Sequence, residues 1–194
     1  MKLYRLMLIA ALVAAVATAA ACETSVSTGG TTRYKNDEYK FSFEIVDQYE
    51  QADSATSAQS NRGADFDVAF TDPDGTVAGD QMIDGMMVSV YTLQKEVTPE
   101  LMPVLEKELN SALGQLSVAD PSVKMGPLKP TTVNGLQGYT ADYTMDMSGT
   151  PVESRTYFLI NGATEYQVTI QSSVEHWSAN EPDLQKAVDS FKAE

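Results

Sequence analysis

The sequence predicts an α+β domain: an antiparallel sheet of about six strands with helices packed on it, preceded by a lipoprotein signal peptide. Three observations lead there. Late in the chain, segments of alternating apolar and polar residues follow one another across short turns. Two other segments carry apolar residues at helical spacing. The chain opens with a basic start, an apolar run and its only cysteine.

Lys2 and Arg5 precede "LMLIAALVAAVATAAA", Leu6 to Ala21, an unbroken run of apolar and small residues. A spanning helix needs about 20 apolar residues. A secretory signal needs a shorter apolar core that ends in small residues a peptidase can hold. Two outcomes fit the boundary. An ordinary signal peptidase would cut at Ala19-Ala20-Ala21 and release a soluble chain. Alternatively "AAAC" is a bacterial lipobox, and Cys22 receives a diacylglyceryl group before cleavage. Ala20 and Ala21 match that pattern, whereas Ala19 stands where leucine is usual. A single cysteine in an exported chain would otherwise be a reactive, unpaired thiol. The "ETSVSTGGTT" that follows has the composition of a flexible tether. The expected organisation is residues 1–21 as signal peptide, 22–33 as lipidated Cys22 and tether, and 34–194 as the folded domain.

Within the domain, "YKFSFEIV" alternates Tyr39, Phe41, Phe43 and Ile45 against Lys40, Ser42 and Glu44, the period of a half-buried strand. "DQYEQADSATSAQSNRGAD" reads as a polar loop. "FDVAF" repeats the strand period with Phe66, Val68 and Phe70, and "MMVSVYTL", Met86 to Leu93, is apolar on both faces, as a central strand is. In "TPELMPVLEKELNSALGQL", Thr98 and Pro99 can open a helix whose stripe is Leu101, Leu105, Leu109, Ala112 and Leu116. "YTADYTMDM", "VESRTYFLI" and "EYQVTIQS" then alternate across "SGTP" and "NGAT", with Asn161-Gly162 as a hairpin signal. Such a meander leaves its polar face to water. In "SANEPDLQKAVDSFKAE", Ser178 and Glu181 have capping-box spacing, and Leu184, Ala187, Val188 and Phe191 form one stripe.

Composition excludes several functions. Lys+Arg 13 against Asp+Glu 27 gives a formal charge of −14, which argues against a nucleic-acid footprint. His176 is the only histidine, and no G-x-S-x-G accompanies it, so a hydrolase triad has no support. Zinc is not expected without a His and Cys cluster, and no glycine-rich phosphate loop is present. The candidate metal ligands are Asp72, Asp74, Asp80 and Asp84, four carboxylates in a glycine-containing loop of the kind Ca²⁺ favours. Their spacing fails the EF-hand pattern: Gly75 falls at the fourth position and no glutamate follows at the twelfth. Pro73-Asp74-Gly75 also reads as a plain turn with solvated acids. Met82, Met86, Met87, Met145 and Met147 offer soft-metal ligands, although methionine in strands usually fills core.

The order of these segments resembles a known family. "YKNDEYKFSFEIV", a polar stretch ending in "FDVAFTDPDG", "MMVSVYTL", a helix, "VNGLQGYTADYTM", the "RTYFLINGATEYQVTI" hairpin and the closing "VDSFKAE" are similar to the PsbP-like superfamily. That superfamily includes the photosystem II extrinsic protein PsbP and exported bacterial relatives of the DcrB and LpqN groups. The resemblance covers about residues 34 to 194. Such domains often carry a tryptophan just after the first strand, where this chain reads "VDQYEQ". The resemblance implies a PsbP-like domain acting as a non-enzymatic accessory or protein-interaction module at a membrane surface; it carries over no catalytic residues, and no cofactor is expected.

The expectation is therefore an exported protein held to the extracytoplasmic side of a bacterial membrane through lipid on Cys22, with another envelope protein as partner. A lipoprotein that binds a small ligand or metal between sheet and helix is the alternative.

Overall fold

The computed structural model describes residues 23–27, 30–52 and 63–194. The expected signal peptide and Cys22 lie outside the described residues. In chain order the strands begin with β1 (Glu23–Ser27), β2 (Thr31–Asn36), β3 (Phe41–Val46), β4 (Glu50–Gln51), β5 (Phe66–Thr71), β6 (Val77–Ala78), β7 (Gln81–Met82) and β8 (Gly85–Thr92). A 3-10 turn, Pro99–Leu101, leads into α1 (Met102–Ala119). Next come β9 (Lys124–Met125), β10 (Lys129–Val133), β11 (Leu136–Met147), β12 (Thr150–Asn161), β13 (Thr164–Ser173), α2 (Trp177–Ser190) and β14 (Lys192–Ala193).

The strands form two main antiparallel sheets and a small β6-β7 ribbon. The larger sheet runs β10-β11-β12-β13-β8-β5-β4, with β9 beside the far half of β11. The smaller runs β1-β2-β3-β14. The expected late meander is β11-β12-β13 of the larger sheet, and its turns follow the residues. Asn134-Gly135 and Ser148-Gly149 each adopt two successive left-handed conformations, as a two-residue hairpin turn of the primed type requires. They join Val133 to Leu136 and Met147 to Thr150 in register. In the third turn Asn161 pairs with Thr164, so the bend sits on Gly162 and Ala163, one residue beyond the Asn-Gly centre expected.

Alternation along the strands sends two apolar sets to opposite faces of the large sheet. Val68, Phe70, Met86, Val88, Val90, Tyr166, Val168 and Ile170 meet Tyr34, Phe41, Phe43 and Ile45 of the small sheet and Leu184, Ala187, Val188 and Phe191 of the α2 segment. On the other face Leu105 and Leu109 of α1 pack over Tyr139, Ala141, Phe158 and Ile160. The molecule is thus three layers: α1, the large sheet, then the small sheet with α2. Tyr49, buried to 1 % exposure, fills the core just after β3, in the stretch where the resembling family often has tryptophan.

The structure departs from three expectations. The strands expected in one sheet of about six are divided between two main sheets, because β3 pairs with β2 and β14 and faces the larger sheet across the core, and the period along a strand carries no record of which strand it pairs with. The stretch 22–33, expected as tether, contributes β1 and the start of β2. Its Thr and Val are β-formers, and β2 offers β1 an open edge. The capping box at Ser178 does not form: α2 begins at Trp177 after His176, without a side-chain cap, and Glu181 is instead bonded to Arg155.

Candidate functional site

The acidic loop lies at the end of the large sheet where β5, β8 and β13 meet. Asp72, Asp74, Asp80 and Asp84 do not converge there. Asp72 is half-buried, and its Oδ1 accepts the Asp74 N–H at 2.9 Å, shaping the turn. Asp74 and Asp80 are exposed. Asp84 is 1 % exposed, which corrects the expectation that all four are solvated.

Asp84 sits one residue before Gly85, the first residue of β8. Gly85 is required there: a Cβ would overlap the Phe70 carbonyl of the neighbouring strand. This close approach draws the Asp84 carboxylate in among donors. Oδ1 accepts the Ser172 hydroxyl at 2.8 Å and the Ser173 N–H at 2.9 Å. Oδ2 accepts the Thr76 N–H at 2.8 Å and the Thr76 hydroxyl at 2.9 Å, with His176 Nδ1 at 3.4 Å. Burial by itself would raise this carboxyl, but the bonds from Thr76, Ser173 and Ser172 outweigh it and hold it below the usual range. A carboxylate so occupied has no lone pair left to offer a cation. Among the described residues no group of three His, Cys, Asp or Glu side chains is placed to hold a metal ion.

Thr76, His176 and Asp84 are a hydroxyl, an imidazole and a carboxylate in contact, and their geometry decides what they do. Thr76 Oγ1 lies 3.0 Å and Asp84 Oδ2 3.4 Å from the same ring nitrogen, Nδ1. A nucleophile relay needs the acid on one ring nitrogen and the hydroxyl on the other. The cluster instead ties the β6-β7 ribbon, the end of β13 and the start of α2 together. Thr76 Oγ1 also lies 3.0 Å from Ser173 Oγ, and Asn180 donates to Ser172 Oγ at 3.0 Å.

The methionines separate. Strand alternation puts Met86 in the α2-side core, while its neighbour Met87 faces the α1 side. Met145 and Met147 pack against Ala78, Ile83 and Val152 at the sheet end. The soft-metal grouping of all five is therefore not assembled.

Three polar side chains, two on the α1 face and one on the α2 side, were not singled out by the sequence. On the α1 face, Asp67 pairs with Ser89, and burial pushes its carboxyl up to about 6 against the Ser89 hydrogen bond. Glu165, 5 % exposed, is also raised by burial, with Gln167 Nε2 donating to it at 2.7 Å. Their only sequence signal is a carboxylate at a strand position, which equally describes a solvated face. On the α2 side, Arg155 donates to Asp142 at 2.6 Å, to Glu181 at 2.7 Å and to Gln185 at 3.2 Å, and lies 5.8 Å from the Trp177 ring. Arg155 is thereby committed to fastening α2 to the sheet.

No protein-family model matches this chain, and no curated protein matches it in sequence. Solved structures do. Cyanobacterial PsbP from Synechocystis sp. PCC 6803 aligns over 87 % of this chain and 95 % of its own, at 12 % identity and a TM-score of 0.60. LpqN of Mycobacterium tuberculosis aligns over 88 % and 89 %, at 12 % identity and 0.54. A Pseudomonas aeruginosa protein of unknown function, PA94, aligns over 86 % and 99 %, at 17 % identity and 0.52. Such likeness between nearly whole chains of low identity is a likeness of architecture, and the fold of this protein is PsbP-like.

Proposed function

We propose that this protein is a lipoprotein of the extracytoplasmic membrane surface, anchored through Cys22, that serves as a non-enzymatic accessory module for another envelope protein. The observation that carries the reading is the PsbP-like architecture, shared over most of the chain with cyanobacterial PsbP and with LpqN, a protein involved in cell envelope biogenesis. The polar clusters support it. Asp84, Thr76, Ser173 and His176 are tied together, and Arg155 binds Asp142 and Glu181, so these polar side chains serve the scaffold. The sequence supports the anchor: an apolar run too short to span, small residues at Ala20 and Ala21, and one cysteine directly after them. Two acyl chains on one residue suffice for stable attachment.

The test is fractionation with mass spectrometry of the amino terminus. The wild-type chain is expected in the membrane fraction with Cys22 diacylglycerylated. Cys22→Ser is expected in the soluble fraction or as an unprocessed precursor. An unmodified mature chain beginning at Cys22 would overturn the anchor.

A further inference from the structure

The segment between Cys22 and the domain has the composition of a tether and the structure of a strand. Among the described residues β1 pairs with β2 alone, at the edge of the small sheet, from Glu23 opposite Asn36 to Ser27 opposite Thr32. The two strands are antiparallel, so Glu23 and Thr31 lie at opposite ends of β2. While β1 is paired, the chain leaving Cys22 meets the domain at Asn36. That end carries the 37–40 turn, where Glu194 N–H donates to the Lys40 carbonyl at 2.8 Å, and the Glu194 carbonyl accepts from Asn161 Nδ2 at 3.3 Å. With β1 unpaired, the first fixed residue is Thr31, at the other end, and residues 23–30 are free chain.

The pairing is lightly held. Val26 is the one apolar residue of "ETSVS", so the ladder offers little apolar burial against the conformational entropy of the residues it orders. The core does not depend on it: Tyr34, Phe41, Phe43 and Ile45, which meet the large sheet, come from β2 and β3. Gly29 and Gly30 separate β1 from β2 in the sequence, and Gly30 has a φ of +97°, which glycine adopts without strain. The ladder also shows which amides report the pairing. Glu44 N–H donates to Ser190 Oγ at 2.7 Å, away from β2, whereas Asp47 N–H donates to the Gly30 carbonyl at 3.1 Å. Arg33, opposite Glu44, and Lys35, opposite Ser42, therefore turn their N–H groups to β1, and Thr32 and Tyr34 turn theirs to β3.

We propose that β1 is a releasable strap that sets the height and tilt of the domain on the membrane. Paired, it holds the Asn36 end against the bilayer, with Cys22 next to the sheet. Released, residues 23–30 become a tether with a root-mean-square span of roughly 15 Å, attached at the Thr31 end, so the domain both lifts and turns. A partner held away from the bilayer then reaches the domain without unfolding it. This inference deepens the accessory-module reading and rests on the Cys22 anchor for its effect at the membrane, whereas the pairing equilibrium belongs to the domain itself.

Amide hydrogen exchange on the purified protein measures the release. Arg33 and Lys35 are expected to exchange at least about tenfold faster than Thr32 and Tyr34, because an edge opens locally without global unfolding. Val26→Pro removes a donor from the β1-β2 ladder and is expected to bring Arg33 and Lys35 to the rate of unpaired amides while leaving the urea midpoint unchanged. The lipidated protein in vesicles gives a second readout. Trp177, the only tryptophan, opens α2 just after Val174, whose N–H donates to the Pro151 carbonyl at 3.0 Å. It thus starts at the end of β12 remote from Asn161, roughly 30 Å away at about 3.3 Å per residue. Val26→Pro is expected to raise energy transfer from Trp177 to a dansyl-labelled lipid at least about twofold. Equal exchange of the two amide pairs in the wild-type chain, or a lowered urea midpoint for Val26→Pro, would make β1 an integral strand and overturn the strap. Unchanged energy transfer would overturn its control of height and tilt. Exchange and unfolding need no lipid, so these results and the fractionation result fail separately.

Discussion

Replacing Phe191 by alanine tests whether the carboxy-terminal segment closes the core. Phe191 lies one residue past the end of α2 yet is 0 % exposed. Its ring sits 5.6 Å from Phe41 of the small sheet and 5.5 Å from Tyr166 of the large one. Asn134 Nδ2 donates to its carbonyl at 2.8 Å. The ring therefore joins both sheets. An aromatic side chain buries about 150–250 Å², worth about 4–6 kcal/mol at about 25 cal/mol per Å² if all of it were exposed on unfolding. Compaction of the unfolded chain lowers that figure. Truncations of buried phenylalanine cost about 3–5 kcal/mol, and that is the expected loss. It is a large share of the roughly 5–15 kcal/mol a domain has. Urea unfolding of the purified variants measures it. Lys186→Ala removes only an exposed contact to Asp183 at 2.6 Å and should shift stability by no more than about 0.5 kcal/mol. Near-equal midpoints for wild type and Phe191→Ala would refute the assignment of Phe191 to the core.

Two further predictions concern Asp84, which is buried, and Asp67, which is half-buried. Asp84→Asn should destabilise the fold by about 2–4 kcal/mol at pH 7, since an amide nitrogen cannot accept from the Thr76 or Ser172–Ser173 donors. The Asp84 carboxyl is held below its ordinary value of 3.8. Its contribution is present above that pH and lost as pH falls through the folded value, so urea midpoints of variant and wild type should converge in acid. A pH-independent gap would show that the charge is not what matters. Asp67 has the opposite sign. Its carboxyl is raised from 3.8 to about 6, so between those values the folded state holds more protons and stability falls as pH rises. Asp67→Asn should remove that fall and gain up to about 3 kcal/mol on wild type at pH 7, with little gain at pH 4. Parallel stability curves for the two proteins across that window would exclude the burial argument.

Asp84 joins a ribbon, a strand end and the start of a helix, and so ties that end of the large sheet together by internal hydrogen bonding.

The sequence by itself determined the class, the long strands β5, β8, β11, β12 and β13, both helices and the inward stripe Leu184, Ala187, Val188 and Phe191. These features depend on period and turn chemistry, which act over a few residues and are written locally. The division into two sheets, the pairing of β14 with β3 and the edge strand β1 depended on the tertiary structure, because a two-residue strand or a Thr- and Ser-rich edge has no period of its own. Burial of acids was decided there too. Asp74 and Asp84 are the same residue type ten positions apart, one exposed and the other enclosed by donors from Thr76, Ser172 and Ser173. A carboxylate's environment is set by what packs across from it, and for Asp84 those partners lie up to 92 residues away.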